Sequence, residues 1–233
     1  MSTRYLIGRA ELLTYPIDAP KKKPSDKVHP YTLNDAKKII IPEIEIANSF
    51  FQALPAKACA DDLAVACLVL HPAYLAKSFF PKLLLDQVGL ASIGSRTRRI
   101  QPRRQTRRNT PPEAETTELF VAGTHTALQK FSNFARGLSE DMPVAEQFAR
   151  IETFAAMTSV DRLRLEGAEI GHVFEVGLHL LPEGDAVDLR ALFADYATEC
   201  GFRVNSEFEF EAGRLLFVAV EGDAAGLEKL GKR

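Results

Sequence analysis

The sequence predicts an α+β fold of mainly antiparallel sheets with helices on one face, and three observations predict it. Strand-like and helix-like stretches follow one another as β-α-β-β-α over 173–230, and in approximately the same order before that. Ala212-Gly213, between EFEFE (207–211) and LLFVAV (215–220), is the short connection of an antiparallel hairpin. The chain has 233 residues, 46% hydrophobic and 26% charged, enough for one large domain or two small ones. The order is compatible with two ferredoxin-like halves: an N-terminal α+β region over 1–145 and a C-terminal one over 146–233. No sequence repeat relates them.

Each element has its own signal. DAPKKKPSDK (18–27) is expected to be a loop. In 33–54, Ile40, Ile44, Ala47, Phe51 and Leu54 recur at helical spacing, with Asn34 or Asp35 placed to cap the start. Pro42 removes a backbone donor, so a kink or a late start is expected there. LAVACLVL (63–70) is apolar on both faces, as a buried central strand requires. HPAYLAKSFFPKLLLDQVG (71–89) is expected to be a helix interrupted by Pro81 and ended by Gly89, its aromatics packed into the core rather than forming an interface hot spot. LASIG (90–94) and ELFVAG (118–123) are expected strands. Leu128, Phe131, Ala135 and Leu138 mark a helix after a Thr124 cap, and Val144, Phe148, Ile151 and Ala155 mark another with Pro143 in its first turn. Alternation of Phe174, Val176, Leu178 and Leu180 gives a half-buried strand. Leu189, Leu192, Phe193, Tyr196 and Ala197 line a helix that Gly201 can close, and a last helix is expected over 224–230.

Composition excludes several classes. The longest unbroken apolar run, Leu63 to Leu70, has eight residues, against the roughly 18 that span a bilayer. The first residues hold no apolar stretch of signal-peptide length, and the three cysteines (Cys59, Cys67, Cys200) have no CxxC spacing, so a cytoplasmic chain without a disulfide framework is expected.

Charge is concentrated. RTRRIQPRRQTRR (96–108) holds seven arginines and no acid: Arg96, Arg98, Arg99, Arg103, Arg104, Arg107 and Arg108. The remaining 22 basic residues face 31 acidic ones, a balance of −9 outside that segment. An extended Arg-rich loop over 95–117 on an acidic body is therefore expected, and its arginines are the candidate partner-binding residues. They suit an acidic protein surface or, as the alternative, phosphates of a nucleic acid. The segment lacks aromatics for base stacking, which favours protein.

The motifs of common chemistries are missing. There is no G-x-x-x-x-G-K-[ST], no G-x-G-x-x-G after a strand, and no H-E-x-x-H or paired CxxC, so no cofactor and no metal site is expected. The five histidines are dispersed. AGTHTA (122–127) is similar to the H-G-T-H-V-A-G box of subtilisin-like proteases, but Ala122 stands where that box has its general base, and no nucleophile or orienting-acid segment accompanies it. An enzyme would need dispersed groups such as His71, Lys77, Asp86 or His125 to converge.

Several segments together resemble the N-terminal region of bacterial subtilisin-like (S8) serine peptidases encoded beside an AAA-type ATPase. They are YLIGRAELLTYPI (5–17), VACLVLHPAYLAKSFFPKLLL (65–85), IGSRTRRIQP (93–102) and ELFVAG (118–123), with a weaker match through FVAVEG (217–222). The LHP-Y-AKS-FP pattern followed by IGSR is the most specific part. The resemblance implies a setting of toxin–antitoxin and anti-phage systems. It covers only what precedes the catalytic domain, so no triad is carried over. What it implies is a non-catalytic regulatory or recognition module, propeptide-like in its C-terminal half, whose partners are a subtilisin-like catalytic domain and the AAA-type ATPase.

Overall fold

Thr32 opens the first helix, α1 (Leu33–Gln52). Its hydroxyl accepts from the Asp35 N–H at 3.1 Å while the Asp35 carboxylate reaches back to Thr32, a reciprocal cap. Thr32 is thus the cap, rather than Asn34 or Asp35. The helix runs through Pro42 without the expected late start, because Pro42 lies on the exposed face, where water replaces the missing donor. Ile40, Ile44, Ala47 and Phe51 form its buried stripe. The computed structural model of the chain describes residues 31–103, 112–163, 172–180 and 188–232; the loop expected at 18–27 and the resemblance segment 5–17 lie outside them.

Strand β1 (Leu63–Leu70) is central, as its double-sided apolarity requires. The helix expected directly after it is absent. Pro72–Tyr74 and Lys77–Phe79 form two single 3-10 turns, and only Lys82–Val88 forms a helix, α2. Pro72 and Pro81 push the residues before them out of the helical region and break the pattern. Tyr74 is buried, and its ring meets Phe79 edge-on at 5.1 Å; the Arg150 guanidinium lies 5.4 and 5.0 Å from the two ring centres. Gly89, at φ 74°, closes α2 in the left-handed conformation that glycine adopts at no steric cost.

Two longer strands follow, β2 (Ala91–Ile100) and β3 (Ala114–Thr124). The Thr124 hydroxyl accepts from Ala127 N–H at 3.2 Å and caps α3 (His125–Gly137). Pro143 starts α4 (Pro143–Ala149), which ends before Ile151; Ile151 and Ala155 belong to β4 (Ile151–Ala156) and not to a continued helix. The four strands form a fully antiparallel sheet in the order β2-β3-β1-β4. With α2 joining β1 to β2 and α3–α4 joining β3 to β4, this is the strand order of a ferredoxin-like β-α-β-β-α-β unit. Its last strand comes from 151–156, on the C-terminal side of the division expected at 145/146. Ala64, Ala66, Leu68 and Leu70 of β1, with Leu119 and Val121 of β3, face the stripes of α1, α3 and α4 in one core.

The C-terminal part adds a short α5 (Ser159–Arg162), β5 (Val173–His179), α6 (Leu189–Glu199), β6 (Arg203–Ala212), β7 (Leu215–Glu221) and a terminal α7 (Leu227–Leu230). β6 starts four residues before the expected EFEFE, and its hairpin turns at Gly213-Arg214. The second sheet, β5-β7-β6, is antiparallel. It repeats the first three strands of the ferredoxin-like order without, among the described residues, the fourth. Phe193, Tyr196, Phe202, Leu216, Val218 and Val220 make a second core, which Ala58 joins from the N-terminal unit. Lys57 pairs with Glu199 across this seam, and Arg162 donates to the Gly231 carbonyl at 3.0 Å. Among the described residues no helix is long and apolar enough to cross a membrane.

Candidate functional site

The arginine segment is largely strand. β2 continues to Ile100 and β3 begins at Ala114, so the expected loop 95–117 is shorter at both ends. Arg96, Arg98 and Arg99 lie on β2 and Arg103 just after it; Arg104, Arg107 and Arg108 lie outside the described residues. Register sets what they meet. Arg96 is directly opposite Glu118 of β3 and Arg98 is two residues along on the same face. Both bind the Glu118 carboxylate, which has 0% exposure. The Arg96 guanidinium also lies 5.3 Å from the centre of the Phe120 ring. Arg99 sits 3.8 Å from Glu115. Arg103 pairs with Glu43 of α1, and its backbone N–H donates at 2.7 Å to Glu152, whose other oxygen accepts from the Tyr31 hydroxyl. All four described arginines therefore face carboxylates of their own chain.

A second constellation arises where the two cores meet. Cys59 ends the 3-10 turn Ala56–Ala58, Asp62 precedes β1, and His125 is the first residue of α3. Nδ1 of His125 binds the Asp62 carboxylate; its Nε2 lies 3.9 Å from Cys59 Sγ and 3.2 Å from the Phe51 carbonyl oxygen. Each ring nitrogen thus faces an acceptor. Asp61 and Asp62 both have positive φ, 52° and 59°, which aims the Asp62 carboxylate back at the ring. Phe51, Gln52, Leu54, Ala56, Cys59, Asp62 and His125 line a groove of about 410 Å³. Burial lowers the Arg162 guanidinium below its usual value, and Cys59 is among the groups that interact with its charge. All three cysteines are buried, in different surroundings: Cys59 lines the groove, burial with Glu118 and Asp161 pushes Cys67 up to about 11, and Cys200 is packed in the second core. Sequence reasoning named His125 but not its partners. The signal lay in the close spacing of Cys59 and Asp62 and in a turn that only the fold lays against α3.

His71 instead packs its ring edge-on against Tyr31 and Tyr74, and Lys77 and Asp86 do not join His125. No group of three His, Cys, Asp or Glu side chains among the described residues has metal-holding geometry.

The third feature is a face. On the side of the second sheet turned away from α6, the register lines up Gly177, Phe217 and Phe210. Phe210 and Phe217 stack at 4.8 Å with an 11° interplanar angle. Phe210 is 55% exposed, Phe208 in the adjoining bulge 66%, and Val173 64%. Comparison of the chain with protein families, curated proteins and solved structures finds no match.

Proposed function

We propose that this chain is a non-catalytic recognition module that works by protein–protein contact, of the kind found N-terminal to subtilisin-like serine peptidases. The observation that carries the reading is the aromatic face of the second sheet, where Phe210 stacks on Phe217 and Phe208 and Phe210 are more than half exposed. Large apolar side chains held together at a sheet surface are a feature of interfaces. The resemblance adds support, because its segments 65–85, 93–102 and 118–123 fall on β1 through α2, on β2 and on β3, the adjoining parts of one unit. The partners are a subtilisin-like catalytic domain or the AAA-type ATPase encoded beside it. A nucleic-acid interface on the arginines is the weaker reading, since Arg96, Arg98, Arg99 and Arg103 have carboxylate neighbours already.

The test is binding in trans. The whole chain, immobilised, is offered a purified catalytic domain of that peptidase class and the ATPase. Binding of at least one is expected, with a loss of about tenfold or more in the double change Phe208→Ser, Phe210→Ser. Casein incubated with the chain alone should stay intact. Failure to retain either partner would overturn the reading, as would casein cleavage that a serine-directed phosphonate stops.

A further inference from the structure

We propose that Cys59, His125 and Asp62 form a nucleophilic thiol centre, at which Cys59 is covalently modified by small soft electrophiles entering the groove beside α1 and α3. The reactive form of cysteine is the thiolate, so a reactive thiol needs a nearby base, a group that orients the base, and access. All three are present. His125 Nε2 lies 3.9 Å from Sγ, and Asp62 binds the other ring nitrogen and fixes its orientation. The Phe51 carbonyl at 3.2 Å from Nε2 gives a proton arriving there a second acceptor. Among the described residues, the charged groups facing the sulfur are His125 with Asp62 behind it, at the α3 end of the groove, and Arg162 from α5; Lys57, on the turn before Cys59, is engaged by Glu199. Cys59 is itself only 7% exposed, and the opening it has is the groove of about 410 Å³ whose lining includes it. The backbone points the same way. Two successive aspartates in the left-handed region are uncommon, and such conformations gather where a side chain must be aimed.

The chemistry is stoichiometric and balances without a cofactor. The Sγ proton moves to His125 Nε2, and the sulfur electron pair forms a bond to the electrophilic carbon. The bond from that carbon to its leaving group breaks, and its electron pair departs with that group. His125 then returns the proton to water. No turnover is implied, so the centre stands apart from the recognition role and does not depend on it.

Iodoacetamide is the probe, used on the whole folded chain from pH 5 to 9, with Cys59, Cys67 and Cys200 quantified separately by peptide mass spectrometry. Cys59 is expected to react at pH 7 at least about tenfold faster than either other thiol, with its midpoint below the roughly 8.5 of an ordinary cysteine. His125→Gln should lower the Cys59 rate about tenfold or more and return the midpoint to that ordinary value. Asp62→Asn should act in the same direction and less strongly. Unchanged slow labelling of Cys67 and Cys200 reports that each variant is folded. The proposal is overturned if native Cys59 reacts no faster than the other two thiols, a result that needs no variant, or if folded His125→Gln keeps the native pH profile. Either outcome leaves the partner-binding experiment untouched.

Discussion

Glu118 shows how residues of one strand decide the use of those on another. Its carboxylate is fully buried, and Arg96 and Arg98 supply the cations that keep it there. Changing either arginine alone to Gln leaves the other in place, and the partly exposed pairs then lose only about 1 kcal/mol. Changing both leaves an uncompensated buried charge, for which a loss of ~3–5 kcal/mol is expected, well beyond the sum of the singles. Urea unfolding of the two singles and the double measures this. The same pairing warns against changing all seven arginines in a nucleic-acid test, because Arg96, Arg98 and Arg103 have structural partners. Asp161 gives the pH dependence. Burial opposes its charged form, yet the Thr158 hydroxyl and N–H and the charges of Arg96 and Arg98 hold its carboxyl below the usual value. A depressed folded-state value means that its stabilisation is complete above the ordinary aspartate range near ~3.9 and is lost as pH falls through the folded value. Asp161→Asn should therefore lower the urea midpoint at pH 7 and flatten its decline below about pH 4. Of this scale, the arginine cluster was legible in the sequence. Its acceptor was not, because Glu118 is 22 residues from Arg96 and only the hairpin register joins them.

At the scale of elements, periodicity succeeded where one face is apolar and failed where two elements meet. The stripe of α1 and the alternation of β5 follow from their spacings. The pattern Val144, Phe148, Ile151, Ala155 misled because α4 ends at Ala149 and β4 begins at Ile151, with the helical spacing continued by chance across the junction. β2 was underestimated for another reason. Its outer half is arginine-rich and reads as solvated, while the groups that make it a strand, Thr116, Thr117 and Glu118, belong to its neighbour. The link between β7 and α7 offers a sharp test. A Cβ on Gly222 would stand 2.4 Å from the Phe202 ring and 2.9 Å from the Gly201 carbonyl oxygen, and one on Gly226 would stand 2.7 Å from the same ring. Phe202 thus sits between two glycines. Gly222→Ala must displace backbone as well as ring and is expected to cost ~1–3 kcal/mol, read as a lower thermal midpoint.

For the whole molecule, strand order carried the α+β class and both antiparallel sheets. The meeting of Cys59, Asp62 and His125 escaped it, since a seam between two cores has no periodicity. The second sheet ends, among the described residues, on two unequal margins. β6 bears Glu207, Glu209 and Glu211, the last two paired with Arg190 of α6, and is bent by a register break between Asn205 and Glu209 that interrupts the edge a second copy would have to pair with. β5, VFEVGLH, has one acid and no break in its pairing with β7. At high protein concentration, growth of ordered aggregates would start from β5, and crowded preparations stay clear for as long as that margin is covered.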